Sequence, residues 1–354
     1  MADDPKPGGS PRKVRLIEIA QKVGLSRATV SLALRRHPSI PKQTRERIEA
    51  AARELGYVYN RGAASLRTAS THTVGIVVND LTNPYFAEIV AAVQEEMTRI
   101  GRVVLFGNSQ ETPERQAEFI ETFREYNVDG IILCPSAGTD PATIRDVQDS
   151  GLPLVLFSRD MPGVDADYVG GANLDGMRSA TAHLIALGHR RIAMVGINRK
   201  IATGRDRLGG YGRALEEAGL AFDASIVVDG PATREFGMAA IGQLLAADGT
   251  ITACVCFNDV VAFGVMLGLR RAGREAGADF SVVGFDDIAE ASLWQPALTS
   301  LFLSRQEIGR HAASLLMRRL GNPSAPPSRV ILPFVLAERD SVQPLHHAGG
   351  RASQ

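Results

Sequence analysis

Cysteine is scarce in this chain, with three among 354 residues. Three cysteines build neither a disulfide framework nor a metal cage. Cys134 ends the apolar run Gly130–Cys134, and Cys254 and Cys256 alternate within Ile251–Phe257 as two residues on one strand face do. They read as small buried hydrophobes in a reducing compartment. No apolar run reaches the length of a membrane helix, so no span is expected. An apolar signal core is also missing, because Met1–Pro11 is rich in Pro, Gly and Asp and reads as disordered; the protein is expected in the cytoplasm. Net charge is absent as well, with 39 basic and 39 acidic residues. That zero hides a division. Residues 1–72 hold 14 Lys/Arg against 6 Asp/Glu, a net of +8, and the remainder holds 25 against 33, a net of −8. A basic head on an acidic body predicts a polyanionic partner for the head alone. Hydrophobic residues at 45%, charged at 22% and aromatic at 6% describe an ordinary globular chain, long enough for two or three domains.

The chemistry of catalysis is missing too. After the first apolar strand, Val74–Val78, comes Asn79-Asp80-Leu81, with no Gly-x-Gly-x-x-Gly turn, phosphate loop or nucleophile elbow. His183 and His189 sit in a helical stretch and its Leu-Gly-His end, a capping context. No catalytic residue, metal site or cofactor is expected, and the chain does not read as an enzyme.

What is present begins at Val14. Leu16, Ile19, Ala20 and Val23 recur at helical spacing, Gly24 closes that helix, and Ser26 is placed to cap a second one carrying Val30, Ala33 and Leu34 inward. His37-Pro38 breaks it. Lys42–Leu55 makes a third helix, closed by Gly56. Two short helices with a Gly-Leu-Ser turn form a helix-turn-helix, the shape that places one helix in the DNA major groove.

From Thr73 the texture alternates between strand and helix. Strands are expected at Val74–Asn79, Val103–Gly107, Gly130–Cys134, Leu152–Phe157, Ile192–Val195, Ile226–Asp229, Ala253–Phe257 and Val282–Phe285. Helices are expected at Tyr85–Ile100, Pro113–Tyr126, Pro141–Ser150, Asp175–Leu187, Asp206–Ala218, Glu235–Ala246 and Val260–Arg271. Continuous apolar strands between helices mean parallel sheets covered on both faces, here in two successive blocks. Ligands bind outside the carboxyl ends of such strands. That points to Asn79–Phe86, Ser158-Arg159, Ile197–Arg207, Asn258-Asp259 and Asp286-Asp287, five loops able to face one cleft.

The ordered set Ile19-Ala20, Val23-Gly24-Leu25-Ser26, Thr29-Val30-Ser31, Thr44-Arg45, Leu55-Gly56-Tyr57 and Asn60-Arg61 resembles the lactose/galactose repressor family of bacterial transcription regulators. Further matches are Asn83-Pro84-Tyr85-Phe86, Leu187-Gly188-His189, Asn258-Asp259, Val283–Asp287 and Pro296–Thr299. The resemblance runs from Val14 to Val342. It implies a small all-α helix-turn-helix head plus an α/β core of two doubly wound parallel-sheet subdomains, like the periplasmic binding proteins. The expected organisation is a disordered extension (1–13), the head (14–59), a hinge helix and linker (60–72), the core (73–342) and a flexible tail (343–354). Within the core, one subdomain takes about 73–172 and 300–330, the other about 173–299 and 331–342.

The second helix should meet base edges with its first turn. Arg27 can donate a bidentate pair to guanine, and Ala28 can offer only a methyl contact. Ser26, Thr29, Ser31 and Thr44 carry short hydroxyls suited to phosphate oxygens, or to capping alone, and the roles can coexist. Leu16 belongs to the same DNA-facing set. Leu32 departs from the family, which often carries a base-reading arginine there. The resemblance places Asn60, Arg61 and Leu66 in a hinge helix, with Leu66 as an apolar wedge for the minor groove; its alternative is packing on a dimer mate. A homodimer on a palindromic, double-stranded operator is implied. The tail shows no heptad repeat, so no tetramer is expected.

By resemblance the effector cleft holds Tyr85, Phe86, Ser158, Arg159, Arg207, Asn258 and Asp286. Flat rings suit sugars or purines, and Asn with Asp suits vicinal hydroxyls. Structural alternatives stand beside each: core staples for Tyr85 and Phe86, a surface ion pair for Arg207, a turn for Asn258, a helix cap for Asp286. The family often carries aspartate where Ser158 stands, and Leu303 makes that side more apolar. A sugar or sugar-like effector is implied by family frequency, with a purine-type corepressor as the alternative. An exported sugar-binding protein shares the core fold, but it carries a signal peptide and no DNA head, the reverse of this chain.

Overall fold

The computed structural model describes residues 14–35, 37–57 and 70–345. The chain divides into two compact units, 1–71 and 72–354.

In the first unit, α1 (Leu16–Val23) and α2 (Arg27–Leu34) are joined through Gly24, whose φ of +65° turns the chain so that the Leu25 N–H reaches back to the Ala20 carbonyl at 3.0 Å. Ser26 caps α2 by accepting the Thr29 N–H at 3.1 Å. The third helix, α3 (Lys42–Glu54), crosses both. Ile19, Val30, Ala33, Ile48, Ala51 and Ala52 form the shared core. Burying each of the larger ones contributes about 1.5–3 kcal/mol. Arg47 donates to the Val23 carbonyl at 2.8 Å, tying α3 to the end of α1.

The second unit contains a six-stranded sheet of order β11-β5-β4-β3-β1-β2 and a four-stranded sheet of order β7-β6-β8-β9. The first comprises β1 (Thr73–Val78), β2 (Val103–Asn108), β3 (Gly130–Leu133), β4 (Leu154–Phe157), β5 (Asp167–Gly171) and β11 (Arg329–Leu332). The second comprises β6 (Ile192–Ile197), β7 (Val227–Asp229), β8 (Ala253–Cys256) and β9 (Ser281–Val283). Every pairing within these two sheets is parallel. The uninterrupted apolar strands explain this, since β3, β4, β6 and β8 are buried along their whole length. A small antiparallel ribbon, β10 (Ser300–Phe302) with β12 (Val335–Ala337), lies beside them.

Both large sheets start their own order at an inner strand and reverse direction. In one the reversal falls between β1 and β3, in the other between β6 and β8. Such switch points leave a crevice at the carboxyl ends of the strands, where neighbouring connections leave in opposite directions.

The strands and helices expected as far as Phe285 are present to within a few residues. The helix expected from Asp206 begins at Ala202, one turn earlier, because Gly204 lets it press onto the Asn198 carbonyl; a Cβ there would lie 1.9 Å from that oxygen. Beyond the expected elements the structure adds β5, β10, the helix Arg305–Gly321, β11 and β12; that helix has its own local signal, with Ile308, Ala312, Leu315 and Leu316 at helical spacing behind a Ser304 cap. β5 reads Asp-Tyr-Val-Gly-Gly and is held by Asp167, whose buried carboxylate accepts from Arg318 at 2.6 Å, Arg319 at 2.8 Å and the Ser328 N–H at 2.8 Å. Two segments differ from the expected partition: β11 runs on to Leu332 in the first sheet, and Ser300–Phe302 pairs with Val335–Ala337 instead of the first sheet. The tail is also anchored beyond residue 342, as the Gln343 N–H donates to Ser281 Oγ at 3.0 Å and the Leu345 N–H to the Leu187 carbonyl at 2.8 Å. Residues 346–354 lie outside the described residues. Cys134, Cys254 and Cys256 are free thiols in the core. Among the described residues no helix is long and apolar enough to cross a membrane, and no cluster of side chains can hold a metal ion.

Candidate functional sites: the recognition helix and the effector cleft

Arg27 and Ala28 open α2 and are both exposed, beside the exposed Ser26. Arg27 makes no hydrogen bond or ion pair among the described residues, so its five donors are available to an external acceptor. Ser26 Oγ and Thr29 Oγ1 lie 2.9 Å apart, so capping is realised while the cap oxygen stays solvent-facing. Thr44, in the first turn of α3, and Leu16, at the start of α1, are half-buried. Ser31 is the inward member of the set, 8% exposed. Leu32 packs half-buried against the head core, which accounts physically for an apolar residue there. Asn60, Arg61 and Leu66 lie outside the described residues.

In the second unit a cavity of about 380 Å³ opens at both switch points. Its lining brings together all seven residues named above for the cleft: Tyr85, Phe86, Ser158, Arg159, Arg207, Asn258 and Asp286. The first sheet contributes Asn79 at the end of β1 and Ser158-Arg159 after β4. The second contributes Asn198 after β6 and Phe257-Asn258 after β8. Gly171 at the end of β5 adds to the first sheet's share, and the segments outside the two large sheets supply Leu303 and Phe334. Gly171 is required because Phe334 lies over it; a Cβ would sit 2.4 Å from the ring.

Arg207 is the centre of the polar wall. It is 6% exposed, so it is no surface ion pair. Its guanidinium lies 3.6 Å from the Phe285 ring centroid and 4.7 Å from that of Phe257. Nε donates to Asn173 Oδ1 at 3.0 Å, Nη1 to the Phe257 carbonyl, and Nη2 reaches Asp286 Oδ1 at 3.5 Å. Burial pulls the guanidinium below its ordinary value, against the pull of Asp286.

Asp286 caps no helix. It sits in the left-handed region at φ 103°, with its carboxyl against Arg207. Burial pushes that carboxyl up to about 6, because Arg207 and Arg305 offset only part of the desolvation. Asp287 turns away and binds Arg339 through two bonds of 2.6 and 3.1 Å. Asp259 is likewise outside the cavity lining, accepting from Ser300 and from the Ile288 N–H. Asn258 serves two directions. Its Oδ1 accepts the Val261 N–H at 3.0 Å as a helix cap, while its amide nitrogen has no protein partner among the described residues.

On the facing wall, Tyr85 and Phe86 stand edge to face 5.2 Å apart, and Phe86 meets Phe157 in the same way. They are core residues and cavity walls at once. Where the family often has a carboxylate, Ser158 shares a 2.7 Å hydrogen bond with the Tyr85 hydroxyl. Burial, then the nearby Asp286 charge, holds the Tyr85 phenol well above its usual range and therefore neutral. Ser158 itself has φ 58°, the left-handed region that non-glycine residues seldom adopt. The sequence reading missed Glu111, Asn173, Phe257 and Phe334. Glu111 follows β2, so the strand-end rule contained a signal for it; Phe334 follows a strand with no signal of its own.

Two comparisons bear on what this arrangement is for. Residues 71–340 match the periplasmic binding proteins and sugar binding domain of LacI family, and residues 15–60 match the bacterial regulatory proteins, lacI family. The chain belongs to the LacI family. It is 31% identical over 303 residues to the HTH-type transcriptional repressor PurR of Haemophilus influenzae (strain PittEE), covering 86% of this chain and 90% of that protein. Among solved structures it is similar to the transcriptional regulator CelR–cellobiose complex, with a TM-score of 0.70, 31% identity, and 93% of this chain and 100% of that one covered. It is also similar to the Lac repressor dimer bound to operator and the anti-inducer ONPF, with a TM-score of 0.83, 25% identity, and 94% and 100% coverage. As a LacI-family member the chain is a DNA-binding transcriptional regulator: a helix-turn-helix head and an effector-binding α/β core of parallel sheets.

The charge state of the LacI-family cleft gives a testable pH effect. Below the ordinary carboxyl range Asp286 is neutral whether folded or unfolded. Between about 4 and about 6 the unfolded chain ionises while the folded one keeps its proton, so native stability falls as pH rises through that window. Unfolding free energy measured across this range is expected to fall more steeply in the wild type than in Asp286→Asn. Parallel curves would show that Asp286 ionises freely in the fold.

Proposed function

We propose that this protein is a cytoplasmic, non-enzymatic repressor that binds a palindromic operator as a homodimer and is controlled by a sugar or sugar derivative held in the cleft. The head acts through Ser26, Arg27, Ala28, Thr29, Ser31, Thr44 and Leu16, with Asn60, Arg61 and Leu66 in the hinge. The cleft acts through Tyr85, Phe86, Ser158, Arg159, Arg207, Asn258 and Asp286. One observation carries the effector reading: the buried pair Arg207–Asp286 and the buried Asn258, its amide nitrogen unengaged among the described residues, share with Tyr85, Phe86 and Phe257 the lining of a cavity of about 380 Å³. A carboxylate and amide donors in one lining suit vicinal hydroxyls, and ring faces suit the C–H surface of a pyranose.

Switching follows from where the cavity lies. A ligand touching the strand ends of both sheets binds their closed arrangement better than the open one, and can shift the population only by that difference in affinity. A core that closes differently passes the change to the paired hinges.

The flat faces of Phe86, Phe257 and Phe334 in the same lining, with the likeness to PurR, favour a purine-type corepressor as the second reading. A thermal-shift panel of neutral sugars, polyols and nucleobases separates them. Ligand at 100 times its dissociation constant stabilises the folded state by about 2.7 kcal/mol, so one sugar is expected to raise the melting temperature by several degrees. A rise with nucleobases alone overturns the sugar reading. Operator affinity with and without the hit then decides between inducer and corepressor.

A further inference from the structure

Arg159 lines the cleft with its guanidinium already engaged. Nη1 and Nη2 meet the two carboxylate oxygens of Glu111 at 2.7 and 2.5 Å, and Nη1 also donates to the Pro135 carbonyl at 3.1 Å. Burial alone lowers such a guanidinium, but the hydrogen bonds and the charge of Glu111 hold it above its ordinary value. Glu111 is itself placed with care. Its carboxylate accepts the Ala137 N–H at 3.1 Å. Gln110 and Glu111 both adopt left-handed backbone, at φ 51° and 58°, a conformation non-glycine residues seldom take and rarely in succession. The other buried cation, Arg207, faces Asp286. The charged side chains of the lining are then Asp80, Glu111 and Asp286 against Arg159 and Arg207, so the cavity carries one more negative charge than positive.

We infer that Glu111 is a specificity-determining residue of this cleft: by occupying Arg159 it bars anionic ligands, so the effector is an uncharged, hydroxyl-bearing molecule and not a phosphorylated or carboxylated one. The inference rests on the reading of this cavity as the effector site. An incoming phosphate must either break the two bonds that the 39%-exposed Glu111 side chain makes to the 9%-exposed Arg159 side chain, or sit beside that carboxylate as a second anion on one guanidinium; the first loses two charge-assisted bonds and the second adds like-charge repulsion. A hydroxyl does neither, since it can donate to Glu111 or Asp286 and accept from Asn258 or Arg207 with no net charge buried.

The test uses the full chain and inorganic phosphate as the probe, with chloride at matched ionic strength as control. Phosphate is expected to leave the wild-type melting temperature where chloride leaves it. Glu111→Gln keeps an acceptor for Ala137 but frees the Arg159 guanidinium, and should bind phosphate at least about tenfold more tightly than wild type, a difference of about 1.4 kcal/mol. Adding Arg159→Gln should abolish the gain, which also separates the cleft from the basic head. Saturable phosphate stabilisation of the wild type, or no gain in Glu111→Gln, overturns the inference. Should Glu111→Gln fold poorly, Glu111→Asp, whose shorter side chain releases part of the fork, is expected to give a smaller gain in the same direction. Glucose and glucose 6-phosphate on wild type keep the two readings apart. Preference for the phosphate ester sinks anion exclusion and leaves a sugar effector standing, whereas binding of neutral nucleobases alone sinks the sugar and the hydroxyl-bearing part of the inference and leaves anion exclusion by Glu111 standing.

Discussion

A chain beginning at residue 71 is expected to lose specific operator binding altogether and to keep its ligand response. The basic residues explain the first half. Residues 1–70 carry all of the +8 excess of the N-terminal segment, and what remains holds 25 basic against 33 acidic residues. A body of net −8 is repelled by DNA, and no phosphate neutralisation remains to drive counterion release. The core architecture explains the second half. β1 starts at Thr73 and is paired on both sides, with β2 and β3, and the His72 N–H is held by Asp129 at 3.0 Å. The head has a separate core around Ile19, Val30 and Ile48, so removing it takes nothing from the hydrophobic clusters of the second unit. Fluorescence anisotropy with operator DNA at two salt concentrations, together with ligand-induced thermal shift, checks both halves. Operator binding retained by the truncated chain would sink the assignment of the head.

Arg207→Ala is expected to have the largest effect of any single cleft substitution, weakening effector binding by about 10- to 100-fold, the worth of one charged hydrogen bond of about 1.5–3 kcal/mol. It should also lower the stability of the ligand-free protein. Four contacts go at once: the bonds to Asn173 and the Phe257 carbonyl, the Asp286 pairing and the stack on Phe285. Asp286 is then left buried with its neighbouring cation gone, and removing one member of such a pair is costly. Its carboxyl should rise further above about 6, which moves the pH window described above upward. Arg207→Lys should not restore binding, since an ammonium cannot satisfy the planar fork and the ring face together. Isothermal titration with the sugar identified by the panel, for both variants, is the check. An unchanged dissociation constant in Arg207→Ala would remove Arg207 from the effector site.

Much of this protein is legible in the order of its residues. The head is legible because its signals are local: helical spacing at Leu16, Ile19 and Val23, a glycine at the one positive-φ position between α1 and α2, a serine cap at Ser26. Most strands of the two large sheets are legible for a related reason. A strand buried on both faces must be apolar throughout, and Ile192–Ile197 or Ala253–Cys256 needs no partner to be recognised. The strand-end rule then names the loops of the cleft before any distance is known. β5 and the short strands after Phe285 are not legible in this way, whereas the helix Arg305–Gly321 has its own apolar stripe at Ile308, Ala312, Leu315 and Leu316. Asp-Tyr-Val-Gly-Gly becomes a strand because Arg318 and Arg319 reach across from a helix some 150 positions away in sequence to bind Asp167, and no window of the sequence contains that pairing.

Residue order alone set the parts: a basic helix-turn-helix, two parallel sheets, and Tyr85, Arg207, Asn258 and Asp286 at loops that line one cavity. How those residues are used came from the fold. Whether Arg207 is a surface ion pair or a buried hub, whether Asp286 caps a helix or faces a cation, and whether Arg159 is free or already bound by Glu111 all depend on side chains 34 to 79 positions apart in sequence for Arg207 and 48 for Arg159. Local propensity is settled within a turn or a strand, but desolvation and charge pairing are settled by whatever the fold brings to within a few ångströms. The character of a ligand site belongs to the second kind of physics.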